Sequence, residues 1–366
     1  MLAKTIFLLA TAALLCNVNT SAQPVQLKHV GWFDLKERLP EAFQREQFKV
    51  RGFVAHDMGL YFLVVKKSSG QESMLVHTDG SGGLLKTIPL PVDEASLNRS
   101  ILNINVDENG NCYVLQTIKD KSLRRRVEFC VYDRTGITKK TLPVAEPVMA
   151  FCLQGKARWY ISGSYELKQM LASEATYTKR FERPQFKNIG DVFGKMVLLP
   201  GNKLAMVDGV AARLYVIDQG SGDTQVLSLL QLPEVKRSWE GYPPETRGPM
   251  TTNAGQGPLY GRAMIITGVS ATSQGDIYLI IIGIPYDEGA VVLQLDQQGN
   301  LKHSLRCVLP KVEHRRSSDN PEGYAGAFPL IGTTDTSLFL VGADGDVLSY
   351  QSNFPKSIVE EARTLK

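Results

Sequence analysis

The stretch that decides the fold runs Ile101-Leu102-Asn103-Ile104-Asn105-Val106, then Asp107-Glu108-Asn109-Gly110-Asn111, then Cys112-Tyr113-Val114-Leu115. Two apolar, partly β-branched segments flank a short polar one. Asn, Asp and Gly tolerate the positive φ that tight hairpins require, and β-branched and aromatic residues suit a pleated, packed surface. The stretch therefore predicts an antiparallel hairpin.

The hairpin recurs. Ile265 to Ala271, the turn Thr272-Ser273-Gln274-Gly275-Asp276, and Ile277-Tyr278-Leu279-Ile280 repeat it most closely. Weaker copies surround Asp57-Met58-Gly59, Gln154-Gly155-Lys156, Pro200-Gly201-Asn202 and Thr334-Asp335-Thr336. About 15 to 20 residues after a hairpin comes a second motif, a strand ending in an acidic turn. It reads His77-Thr78-Asp79-Gly80, Val131-Tyr132-Asp133-Arg134-Thr135-Gly136, Val216-Ile217-Asp218-Gln219-Gly220 and Leu295-Asp296-Gln297-Gln298-Gly299. Each unit is then a meander of about four strands, repeated at a fixed period. A lone meander cannot bury both faces, so copies must stack, and radial stacking gives a β-propeller. A β-sandwich also has short, regularly spaced strands, but it has no need of paired turn types at one recurring spacing.

Turns near residues 57, 109, 155, 201, 274 and 335 predict six blades. The sixth unit lacks a fourth strand, and the segment Val25 to Phe33 has no unit of its own. That segment is expected to complete the last blade and so remove exposed sheet edges. The expected fold is all-β, a six-bladed β-propeller over residues 23–354 closed by its N-terminal strand, with a tail at 355–366. Blade three departs most, because Tyr165 to Thr178 reads as a longer or partly helical excursion.

The pattern Asp-x-x-Gly-Asn-x-Tyr-Val followed by Tyr-Asp-x-x-Gly resembles NHL-type and related bacterial six-bladed propellers. Residues 107–114 and 132–136 carry the resemblance best, and residues 275–279 and 295–299 carry it next. It covers most of the chain as architecture. Its motifs mark turns, not a catalytic centre.

Ahead of the repeats, residues 1–22 follow the pattern of an export signal. Lys4 is a short basic start, Ile6 to Leu15 is an apolar core too short to span a bilayer, and Thr20-Ser21-Ala22 is a small-residue end. Cys16 is not preceded by the small residue a lipobox requires. The expected location is therefore periplasmic or secreted rather than lipid-anchored. No apolar run is long enough for a transmembrane helix. Lys and Arg number 41 against 37 Asp and Glu, a net +4 that argues against a nucleic-acid partner held by backbone charge.

Function concentrates in loops on a rigid scaffold. In such a propeller, the connections between blades share one face with the loops joining the middle strands. Two of these connections are unusually long. Glu234 to Gly261 carries Arg237, Trp239, Tyr242 and Arg247, with Arg262 just beyond, and Lys311 to Gly326 carries His314, Arg315 and Tyr324. Together they are expected to form a basic, aromatic rim. Guanidinium forks suit carboxylate or phosphate, and Trp or Tyr faces suit sugars or peptides. A solvated loop pair without a ligand is the competing reading.

Catalytic motifs are missing. There is no Gly-x-Ser-x-Gly elbow, no phosphate-cradling loop, no His-Glu-x-x-His and no Cys-x-x-Cys-His. No metal site or cofactor is therefore expected. Cys112 and Cys130 lie symmetrically about Lys121, so a disulfide across a hairpin is one expectation and buried free thiols are the other. The first functional reading is an exported binding or scaffolding module for a protein, peptide or glycan. The alternative is a metal-dependent hydrolase or lyase resembling lactonase-type propellers. That resemblance implies a cation held at the channel, with Asn103, Asn105, Asp208 and Asp335 as the candidate ligands.

Overall fold

In the computed structural model, which describes residues 25–67, 72–90, 96–122, 124–155, 157–163, 166–171, 174–180, 196–209, 212–241, 266–281, 290–309, 329–342 and 344–351, the repeats fold into six sheets. Blade one holds β3 (Phe48–His56), β4 (Gly59–Lys66), β5 (Ser73–Thr78) and β6 (Leu84–Leu90). Blade two holds β7 (Ser96–Val106), β8 (Cys112–Asp120), β9 (Arg125–Tyr132) and β10 (Thr138–Val144). Blade three holds β11 (Val148–Gln154), β12 (Ala157–Ser162), β13 (Glu166–Leu171) and β14 (Glu174–Arg180). Blade four holds β15 (Met196–Leu199), β16 (Lys203–Asp208), β17 (Arg213–Asp218) and β18 (Thr224–Ser228). Blade five holds β19 (Ile266–Ala271), β20 (Ile277–Ile281), β21 (Ala290–Leu295) and β22 (Leu301–Cys307). Blade six holds β23 (Leu330–Thr333), β24 (Ser337–Val341) and β25 (Asp346–Gln351). The first strand of each blade contacts the first strand of the next, from β3 round to β23 and back to β3. This is the expected six-bladed ring.

The chain's beginning closes it, but not as one strand. β2 (Gly31–Asp34) pairs antiparallel with β25 and becomes the fourth strand of blade six. β1 (Val25–Leu27) pairs instead with β22, in parallel, as a fifth strand on blade five. Val25 and Leu27 pack on the apolar core between those blades, which ties the segment to both.

One turn recipe is used repeatedly. At Asp79, Asp107, Asp133 and Asp296, the backbone N–H bonds the carbonyl four residues on, and the residue three ahead donates back to the Asp carbonyl. That last residue is glycine with φ between +76° and +90°, at Gly82, Gly110, Gly136 and Gly299. Glycine is the residue that enters this left-handed region without strain. Each Asp side chain also accepts two backbone N–H groups of its own turn, as Asp133 Oδ1 does from Thr135 and Ile137 at 2.8 and 3.0 Å. Such self-bonding is why Asp starts turns.

The core is six wedges, one between each pair of adjacent blades. A strand in the middle of a blade therefore buries both faces. On β4, Leu60, Phe62 and Val64 face blade six, while Tyr61, Leu63 and Val65 face blade two. On β24, Leu338 and Leu340 face blade five, while Phe339 and Val341 face blade one. This two-sided burial is the reason the second strands read as continuous apolar runs.

Two local expectations are corrected, and of the two alternatives for the cysteines the structure has the free thiols. Tyr165 to Thr178 is no helical excursion, because Glu166 to Leu171 and Glu174 to Arg180 pair as the regular outer hairpin of blade three. The connection after blade four opens not as loop but as helix α2 (Pro233–Gly241), following the short helix α1 (Glu41–Gln44) between blades six and one. Cys112 and Cys130 are buried free thiols. Their hairpin pairs Cys112 with Tyr132 and Val114 with Cys130, so it centres one residue beyond Lys121 and leaves the cysteines diagonal instead of opposed. Diagonal positions stand about 7–8 Å apart at Cα, beyond ordinary disulfide reach. The expected signal segment and the 355–366 tail lie outside the described residues.

Candidate functional site

A blade presents its faces to its neighbours, so each inner strand turns an edge to the ring axis. Each of β3, β7, β11, β15, β19 and β23 ends its sheet's strand order, and together they enclose a channel of about 300 Å³. Unpaired edge N–H and C=O groups must be met by water or by a ligand. The hairpin turns gather at one end of this channel. The inter-blade connections gather at the other.

The turn end is tied up in its own hydrogen bonds. Ser270 Oγ and Thr333 Oγ1 are 2.8 Å apart across blades five and six. Ser273 donates to Asp335 from its backbone and its hydroxyl, at 3.0 and 2.6 Å. Gln154 Nε2 donates to Asn202 Oδ1 between blades three and four. His56 Nδ1 accepts from Met58 N, and His77 stacks on Tyr61 at 4.1 Å while its Nε2 contacts Met58 O.

The residues that the lactonase resemblance nominates do not converge. Asn103 and Asn105 line the channel, but each Oδ1 accepts from the next backbone N–H, at 2.8 and 2.9 Å. Asp208 is buried at the far end of β16, away from the turns, and Asp335 sits in a turn. Among the described residues no three His, Cys, Asp or Glu side chains cluster as a metal site.

The thiols are unsuited to nucleophilic work at neutral pH. Burial pushes Cys112 up to about 12 and raises Cys130, Cys152 and Cys307 as well. Thiolate, not thiol, is the reactive form.

The connection end is built differently. In β3, β7, β11 and β19 the register slips by one residue, between Val50 and Gly52, Ile101 and Asn103, Val148 and Ala150, and Ile266 and Gly268. The extra residues are Arg51, Leu102, Met149 and Thr267. Each lies four or five residues before its strand ends. Bulges re-aim side chains and recur at barrel rims and sites. Arg51 and Leu102 are exposed, Leu102 by 45%.

Between blades one and two this end opens into a cleft of about 350 Å³. Lys49 and Arg51 of β3 form one wall, and Ser100, Ile101 and Leu102 of β7 form the other. Val65, Lys66, Lys67 and Ser73 complete the lining. Lys66 is nearly buried and its Nζ lies 3.0 and 2.6 Å from Glu46 and Glu72, which hold its pKa above the ordinary lysine value. Below the cleft, buried Arg99 donates to Ser73 Oγ at 2.8 Å, which leaves the Ser73 O–H to donate. The repeat motifs do not flag these residues as ligand contacts. The available signal is the alternation Phe48-Lys49-Val50-Arg51, two cations sharing the exposed side of an inner strand.

Of the rim expected from sequence, only two members are described. Both lie on α2, where Arg237 is exposed and Trp239 is half-buried against the core between blades four and five. Tyr242, Arg247, Arg262, His314, Arg315 and Tyr324 lie outside the described residues.

No family model matches this chain, and no curated protein sequence does. Solved structures are similar in fold. The structure of RRP9 WD40 repeats is 11% identical, covers 89% of this chain and 98% of its own, and gives a TM-score of 0.50. A structural genomics protein of unknown function from Bacteroides thetaiotaomicron VPI-5482 is 11% identical, with 90% and 75% covered and a TM-score of 0.49. BamB from Moraxella catarrhalis is 14% identical, with 82% and 85% covered and a TM-score of 0.41. Among the described residues, no helix is long and apolar enough to cross a membrane.

Proposed function

We propose that this propeller is an exported binding or scaffolding module whose working surface is the connection end of the ring. The observation that carries the reading is the recurring bulge. Four inner strands spend an extra residue at the same level of the channel rim, whereas the slips at the turn end, at Leu85, Lys139 and Lys302, fall on outer strands beside their hairpin turns, away from the channel. Repeated bulges are designed features that place side chains. The rim of Arg237, Trp239, Tyr242, Arg247, Arg262, His314, Arg315 and Tyr324 belongs to the same face in this reading, with Trp239 serving as its foundation. Export rests on the signal pattern of residues 1–22.

The test is selection of peptide ligands on the immobilised protein, followed by binding to two sets of variants. Leu102→Asp and Met149→Asp alter the connection end. Thr135→Ala and Ser273→Ala alter the turn end. The expected result is ligands lost with the first set and kept with the second. Ligands indifferent to the first set and lost with the second would overturn the assignment of the working face.

A further inference from the structure

Among the described residues, the cleft between blades one and two carries more positive charge than its surroundings neutralise. Lys66 is answered by Glu46 and Glu72. Lys49, Arg51 and Lys67 have no acidic partner among the described residues, and all three line the cleft and are exposed. Lys49 and Arg51 stand two residues apart on one side of β3, about 6–7 Å along the strand. An extended peptide spaces its own alternate side chains by the same amount. Opposite the cations stand Ile101 and Leu102, an apolar wall that would go unused against a simple anion.

We propose, on the premise that the connection end is the binding face, that this cleft captures an extended acidic segment of a partner protein. Its alternate carboxylates would meet Lys49 and Arg51, and an intervening apolar side chain would lie on Leu102. Lys67 and the Ser73 hydroxyl supply further donors at the cleft's back. Arg51 offers a planar fork that fits a carboxylate in bidentate fashion. The alternative polyanions fit less well. Sugars and single-stranded nucleic acids are held by aromatic platforms as well as by charge, and none of the described residues lining the cleft is aromatic.

The experiment uses the whole chain and a short fluorescein-labelled peptide with glutamate at alternate positions and leucine between two of them. Fluorescence anisotropy is measured at about 50 mM and about 300 mM salt, where screening differs strongly. The expected result is saturable binding that weakens with salt, and a Kd raised at least about ten-fold in Lys49→Glu/Arg51→Glu. Leu102→Ser is expected to weaken binding without changing its salt dependence. Melting curves of the variants are taken alongside, and Lys49→Arg should bind like wild type. An unchanged Kd in the charge-reversed variant overturns the proposal. So does tighter binding of a sulfated glycan than of the peptide at this cleft. Either outcome leaves the connection-end reading standing if selected ligands still depend on Leu102 and Met149. Loss of that dependence is what defeats the broader reading.

Discussion

Ser270 on blade five and Thr333 on blade six are bonded twice: their hydroxyls lie 2.8 Å apart, and the Thr333 backbone N–H donates to Ser270 Oγ at 2.9 Å. The Ser270 side chain thus satisfies an inner-strand N–H that has no ladder partner on that side. Removing the hydroxyl leaves the N–H and the buried Thr333 side chain without it. Ser270→Ala is expected to lower stability by about 1–3 kcal/mol, read by urea unfolding. A variant as stable as wild type would show that the clamp contributes nothing.

Close approach of inner strands makes a second prediction at Gly332. A Cβ there would lie 2.5 Å from the Phe53 ring, and 2.9 and 3.1 Å from Ala55 Cβ and N. Backbone cannot yield as a flexible side chain does. Gly332→Val is expected to cost about 1–3 kcal/mol through overpacking. Gly80, with nothing within 4 Å of its virtual Cβ, supplies the control, and Gly80→Ala should stay within about 0.5 kcal/mol of wild type.

The acidic turns predict a pH response. The Ser81 hydroxyl, with the Gly83 N–H, holds Asp79 below the ordinary carboxylate value of 3.8. The Thr135 hydroxyl does so for Asp133, and the Ser221 N–H for Asp218. A depressed folded pKa contributes stability above the unfolded value and loses it as pH falls through the folded one. Melting temperature should therefore fall as pH drops below about 4. The Asp79→Asn/Asp133→Asn/Asp218→Asn variant should show a shallower fall, and an unaltered profile would refute the assignment.

The cysteines give a chemical check. With Cys112, Cys130, Cys152 and Cys307 buried and free, a maleimide should label none of them quickly in the folded chain at pH 8 or below about it. All four should label in denaturant without reductant, as counted by intact mass. Two fewer labels would mean that Cys112 and Cys130 are joined after all.

Truncation tests the closure. A chain beginning at Lys28 loses β1, and with it Val25 and Leu27 against the wedge between blades five and six. The expected cost is about 2–4 kcal/mol, with the ring retained because β2 remains. A chain beginning after Asp34 loses β2 as well and leaves an open edge on β25, so aggregation is the expected result.

Much of the ring was legible because its turns are chemically explicit. Asp107 to Gly110 and Asp133 to Gly136 carry the acceptor and the glycine that their geometry requires. Blade three was harder for a physical reason. Leu167 and Met170 are spaced as on a helix, yet both are buried, because an odd separation on a strand sends them to opposite wedges. Glu166, Lys168 and Gln169 are also good helix formers. Here the wedges outweigh propensity. The N-terminal segment was legible as a closing strand, but nothing local in Gln26 or Lys28 announces the change of partner between β1 and β2. The cleft was the least legible feature. It needs β3 beside β7, and it needs the bulges that expose Arg51 and Leu102, neither of which a single repeat reveals.

The closure also orders the folding of the chain in time. Trp32 Nε1 reaches Asp346 Oδ1 across 314 positions of sequence. β2 precedes every blade in the chain, yet it cannot find its place until β25 has been made. Contacts this remote close slowly. Through that interval blade six is an unfinished sheet and β2 an apolar strand with no neighbour, the kind of pair that recruits a second molecule. Until that pairing is made, β2 and β25 of one copy must stay apart from those of other copies.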